Sequence, residues 1–429
     1  MKEKFIKSTL ILIIGGAITK VLGMVIKIIM TRLVGLEGIG LYMLIFPTFS
    51  LFMSMSQLSL PVSISKLVSE EKYNNKKLVF SSFPIMMITN LILMVIILCC
   101  ASFFANNLLN EPRVYLPILA ISLVLPFEAL SNLLRGYFFG KQRMFPHVVS
   151  HVIEQIIRLV LIILVIPTLM NKNIIYAVTF LILVNMVSEL TSIFILLLFL
   201  PKNTTIKKSD LIPSSTNVRN ILNISIPTTG SRLIGNVGYF LEPIIITFVL
   251  TTIGYSNTYI LSEYGIISGY VMPLLLLPSF FTTAISQALI PVISKSYSNQ
   301  NYSYTKKKLK QGILLSLLIG IPSTMIFILF PEFFLNLIYH TTEGSEYIRF
   351  LAPIFLLHYL ETPLSSSLQA MGKAKETFLS SLKTTILRTI SLFLLLFLNI
   401  GMWGFVLSLS ISIIYTTYTN FRYIQKSFN

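Results

Sequence analysis

Lys20 and Lys27 stand seven residues apart in an otherwise apolar run. On a helix that distance is two turns, so both side chains leave the same face, and Gly23 between them leaves room for a group to approach. Arg232, Gly235 and Tyr239 repeat the pattern in a second apolar run, and Glu242 extends it. Ionisable residues inside membrane spans are costly and usually face a cavity or a partner. If these two faces share one cavity, their cations would bind a pyrophosphate. Lys27 lies near a helix end, so snorkelling to the interface is the competing use of its charge.

Other ionisable residues also fall inside apolar runs. His147, His151, Glu154 and Arg158 form one stripe, and Glu154 with Arg158 has the spacing of an intrahelical ion pair. Glu128, Asn132 and Arg135 share a face, as do His358, Glu361, Ser365 and Gln369. The plain reading is hydrogen bonding between helices. The alternative is a role in a cavity or in ion coupling, for which Glu128, Glu154, Arg158 and Glu242 are the candidates. Gln57 and Gln287 each stand one turn before a proline. There an amide either donates to carbonyls freed by the proline or lines the cavity.

Metal and nucleophile chemistry find little support. The two cysteines, Cys99 and Cys100, are adjacent, and no CxxC pattern exists. The four histidines make no HExxH arrangement, and there is no glycine-rich phosphate loop. No metal, no cofactor and no enzyme site are expected.

These side chains must be positioned by membrane helices. Charged residues are 11% of the 429, and hydrophobic residues are 54%, with a mean hydropathy of +0.81. Soluble domains carry about 25% charged residues, so much of this surface must face lipid. Twelve apolar segments are readable, near 8–31, 40–66, 79–105, 113–136, 147–170, 173–200, 220–250, 263–293, 311–337, 347–370, 377–399 and 402–423. The first reads as a span and not a cleaved signal, because no small-residue cleavage site is present and the helix continues past Lys20. Alternate loops carry nearly all the lysine and arginine, and the opposite loops hold only Arg32, Arg113, Lys172 and Arg349. By the positive-inside rule both termini are cytoplasmic. The net charge of +17 therefore reads as anchoring to anionic lipid, with no nucleic-acid partner, and Lys306 to Lys310 as a solvated cytoplasmic face. The basic stretch 201–219 divides a six-helix half, 1–200, from another, 220–429.

The halves repeat. Ser56 to Val62 matches Ser286 to Val292, Thr19 to Gly23 matches Ser231 to Gly235, Gly140-Lys141 matches Gly372-Lys373, and Arg158 matches Arg388. The matches keep their order. The expected fold is thus all-α, with about twelve transmembrane helices in two parallel halves related by a pseudo-twofold along the membrane normal and a site near the midplane.

Leu134 to Pro146 (LRGYFFGKQRMFP) leads into Val152 to Arg158 (VIEQIIR). With Gly38 to Tyr42, Phe46-Pro47, Ile64 to Lys66, Gly269 to Leu274 and Leu277-Pro278, this cluster resembles the stage V sporulation protein B and polysaccharide-exporter family. That family belongs to the multidrug/oligosaccharidyl-lipid/polysaccharide flippase superfamily. The resemblance implies a V-shaped transporter that flips lipid-linked saccharides across the bacterial plasma membrane, with membrane lipids around it and cell-wall synthesis enzymes as candidate partners. For the sporulation branch it implies spore cortex peptidoglycan. Related lipid II flippases have a cationic cavity, which suits Lys20, Lys27 and Arg232. Many members have fourteen spans where twelve are counted here, and the last pair holds a lipid groove in some relatives. Two rivals stand beside this reading: a cation-coupled multidrug exporter of the same superfamily, and a non-transporting assembly factor for cell-wall synthesis.

The loop charges yield a first prediction. In a variant lacking Cys99 and Cys100, single cysteines replacing Lys207 or Lys307 should react with an impermeant maleimide only from the cytoplasm. Reaction from outside would overturn the topology.

Overall fold

The computed structural model describes residues 2–70, 74–200 and 213–428. Lys72 and residues 201–212 of the expected linker, including Lys207, lie outside the described residues. No β-strand occurs among the described residues. That follows from the solvent: in lipid each backbone N–H and C=O must be satisfied within the protein, and a helix does this by itself.

The first helix, α1 (Lys2–Gln57), counts 56 residues. Straight, it would run about 84 Å, far beyond a hydrocarbon core of about 30 Å. It bends at Gly35, whose φ of 67° and ψ of −173° are not helical and suit a residue without Cβ. Two passages result, as expected. The second ends where Leu58 and Ser59 take positive φ. Pro61, just inside α2 (Leu60–Ser69), could not extend α1 without losing a backbone hydrogen bond and meeting a carbonyl. There follow α3 (Asn75–Phe103), α4 (Tyr115–Gly140), α5 (Met144–Met170) and α6 (Ile174–Leu198).

Then come α7 (Ser215–Ile253), α8 (Asn257–Gly265), a π-helical turn (Ile266–Val271), α9 (Met272–Leu276) and α10 (Ser279–Ser298). The stretch from α8 to α10 is one interrupted passage. Its break leaves the Leu275 carbonyl without a helical donor, and the Tyr359 hydroxyl donates to it at 2.7 Å. The chain finishes with α11 (Tyr302–Leu329), α12 (Pro331–Tyr339), α13 (Ser345–Ala370), α14 (Ala374–Leu396) and α15 (Trp403–Lys426).

Nine helices among the described residues are long and apolar enough to cross a membrane. The first of these holds both passages of α1. The more polar α13 and α15, with 26 and 24 residues, are long enough to complete the twelve passages. Exposed apolar rows at helical spacing mark lipid-facing sides, such as Met87, Ile88, Leu91, Ile92 and Val95 on α3.

The chain packs as two compact units, Met1–Phe240 and Leu241–Asn429. The start of α7 belongs to the first because Ile221 joins the core of Leu60, Ile64, Leu78 and Leu133. The Ser225 hydroxyl also donates to Ser63 Oγ at 2.9 Å. The second unit is centred on Leu289, Ile293, Leu309, Leu364 and Leu368.

Within the first unit, α4 meets α2 through Gly136 and Gly140, one turn apart. A Cβ at Gly136 would stand 2.7 Å from both the Cα and the carbonyl oxygen of Pro61, and one at Gly140 2.7 Å from the Ser65 carbonyl oxygen. Small residues four apart allow such backbone contact between membrane helices. Gly136→Val should therefore push α4 off α2 and cost about 1–3 kcal/mol, read as a lower unfolding temperature in detergent. An unchanged temperature would mean that the contact is not a packing constraint.

Candidate functional site

The first passage of α1 carries Lys20, exposed, and Lys27, half-buried, with Gly23 between them and open space where its side chain would be. Arg232 is exposed on α7. One and two turns further on, Asn236 Nδ2 donates to Ser54 Oγ at 2.5 Å and Tyr239 meets Phe46 edge-on at 6.5 Å between centroids. These contacts fix that side of α7 against the second passage of α1. Lys20, Lys27 and Arg232 thus all belong to the first unit. Glu242 does not extend this face into the same unit. It is 4% exposed, lies past the unit boundary, pairs with Arg388 of α14 and accepts from the Tyr264 hydroxyl at 3.2 Å. Gln287 is exposed on α10.

A buried charge network joins α4, α5 and α6. Arg135 Nη2 donates to Glu154 Oε2 at 2.5 Å, Ser192 Oγ at 2.8 Å and Glu189 Oε2 at 3.2 Å. Arg158 Nη2 donates to the other Glu154 oxygen at 2.7 Å, so Glu154 bridges two guanidiniums. His151 Nδ1 stands 3.5 Å from Glu154 Oε2. Glu128 accepts from Asn132 Nδ2 at 2.8 Å and from Gln57 Nε2 at 3.4 Å. Glu154 and Glu189 are 1% and 2% exposed. The intrahelical pair and the shared face of α4 are those read from spacing. Gln57 is turned to a carboxylate and not to a freed carbonyl.

Spacing did not expose Glu189. Its only signal was an acid inside the apolar run of α6, and its partner Arg135 is 54 residues away. Nor did it pair Glu242 with Arg388. Three carboxylates against two guanidiniums leave one negative charge in excess when all are ionised. No group of three or more His, Cys, Asp or Glu suited to a metal ion occurs among the described residues.

Removing one partner strands the others in a medium that solvates charge poorly. Arg135→Gln should cost about 3–5 kcal/mol of stability, and adding Glu189→Gln should return part of it. Thermal unfolding of the two single variants and the double variant in detergent closes the cycle. Strictly additive losses would show the pair to be uncoupled.

Comparison with known proteins follows from this geometry. A family model described as "Polysaccharide biosynthesis protein" matches residues 5–297, and one described as "MatE" matches residues 236–394. Stage V sporulation protein B of Bacillus subtilis (strain 168) is 35% identical over 404 residues, covering 92% of this chain and 78% of that protein. Lipid II flippase MurJ of the same organism is 24% identical over 412 residues, covering 87% and 74%. Among solved structures, a multidrug resistance MATE family transporter of the MOP superfamily, in its inward-facing conformation, matches with a TM-score of 0.77. It is 16% identical and the match covers 96% of this chain and 94% of that one, a likeness of fold alone.

Proposed function

The chain belongs to the polysaccharide biosynthesis protein family, and from that premise we propose that this multi-pass membrane protein is a flippase for a polyprenyl-pyrophosphate-linked saccharide. The cargo is a peptidoglycan or polysaccharide precursor crossing the bacterial plasma membrane, with both termini cytoplasmic. Spore cortex synthesis is the setting suggested by the sporulation relative. No bond is made or broken, so the protein is a transporter and not an enzyme.

The observation that carries the proposal is that three cations within apolar helices, Lys20, Lys27 and Arg232, all belong to the first unit. They sit on α1 and α7, outside the charge network of α4 to α6, in a chain whose relatives include a lipid II flippase. In this reading the three cations hold the pyrophosphate. The halves 1–200 and 220–429, joined by 201–219, alternate access about a midplane site while the sugars cross in water. The charge network of α4 to α6, with its excess carboxylate, supports a coupling role for Glu128, Glu154 and Arg158. That observation also favours the second reading, a cation-coupled exporter of drugs.

Loss of one cation that meets the pyrophosphate in a low-dielectric site should cost roughly 2–5 kcal/mol, about 30-fold or more in affinity. Lys20→Ala and Arg232→Ala should each sharply reduce translocation of a labelled polyprenyl-pyrophosphoryl saccharide in proteoliposomes while the protein still folds. Lys20→Arg and Arg232→Lys should retain more, and Lys307→Ala should be nearly silent. Normal transport by both alanine variants would remove the cationic site. A wild type without transport would favour an assembly factor for cell-wall synthesis.

A further inference from the structure

In the second unit, α11 and α15 both pack on α13 and leave an open groove along it. The groove has two sections of different chemistry. The deeper one, about 260 Å³, is apolar: Leu357, Leu360 and Leu364 of α13 form its floor, and Ile414 and Tyr418 of α15 one wall. It continues past Ile313 and Phe421, which line both sections, into a wider mouth of about 580 Å³. The mouth is lined by Lys306 and Lys310 in the N-terminal part of α11 and by Gln425 near the end of α15, with no acidic residue among the described residues that line it.

The mouth is built and not merely left over. Lys306 Nζ stands 5.1 Å from the centre of the Phe428 ring. Tyr297 and Tyr302 meet Phe428 edge-on at 6.3 and 6.4 Å, and the Tyr297 hydroxyl donates to the Ser427 carbonyl at 3.4 Å. The aromatic cluster fixes the wall over which the ammonium sits. An apolar channel that opens onto paired cations at one end of a membrane bundle is complementary to a molecule with a chain and an anionic head.

We propose that this groove binds an anionic glycerophospholipid of the surrounding bilayer, one acyl chain lying in the apolar section and the phosphodiester on Lys306, Lys310 and Gln425. The occupant is a bilayer lipid and not the transported one: the apolar section, about 260 Å³, has the size of part of an acyl chain, and the surrounding bilayer supplies such lipids in excess. The inference is independent of the flipping reading, and it gives part of the Lys306 to Lys310 run a ligand.

The test is retention of lipid by the purified full chain, delipidated in detergent and titrated with phosphatidylglycerol or phosphatidylcholine under native mass spectrometry. Phosphatidylglycerol should be retained and phosphatidylcholine should not. Lys306→Gln/Lys310→Gln should weaken phosphatidylglycerol about 30-fold, equivalent to about 2 kcal/mol at roughly 1 kcal/mol per lysine. Thr417 of α15 also lines the apolar section; Thr417→Trp, which fills it, should weaken phosphatidylglycerol with both lysines in place, and Lys172→Gln should change nothing. Equal retention of the two lipids, or full retention by the double variant, would overturn the site. Displacement of phosphatidylglycerol by a substoichiometric polyprenyl phosphate would overturn the choice of occupant. Transport assays of the same variants are not needed, so failure here is separable from failure of the flippase reading.

Discussion

The constraint on which the rest depends is the absence of water in the hydrocarbon core. Backbone polar groups left unsatisfied there cost several kcal/mol each, and charges are costlier still. The helix solves the backbone problem within a segment. Where a segment breaks, a side chain must supply the missing partner, as Tyr359 does for the Leu275 carbonyl. The kinks at Gly35 and before Pro61 lie where the chain has little choice. A 56-residue helix cannot stay in the membrane unbent, and proline cannot be carried through a helix without loss.

The same constraint explains why the charges of the first unit gather. Arg135, Glu154, Glu189 and Arg158 would each be expensive alone; together they share donors and acceptors, with Ser188 and Ser192 completing the set. Such a network is weak support for stability, because hydrophobic replacements of equal volume often do as well. Its value lies elsewhere. It ties three helices at one level, and with Glu128 it leaves a carboxylate in excess.

Packing between helices follows a different rule, since lipid is as apolar as leucine and gives little drive for helices to associate. Close backbone approach at Gly136 and Gly140 supplies the contact. Where helices diverge instead, as α11 and α15 do over α13, a groove opens to lipid. The bundle is thereby tight around the network and open near the lysine-rich end of α11.

How much of this could be read without coordinates differs from feature to feature. The sequence by itself determined the membrane class, the helical passages, the separation of the first two, and the pairing of Glu154 with Arg158. All of these are local: they follow from hydropathy, from glycine and proline, and from side chains one turn apart. Tertiary structure decided what needed a second helix. It brought Glu189 to Arg135, paired Glu242 with Arg388, turned Gln57 to Glu128, and placed the boundary of the first unit at Phe240, inside α7. Spacing along one helix fixes which residues share a face. It carries no information on which residue of another helix that face will meet, because that depends on side-chain volumes and crossing geometry summed over the whole bundle.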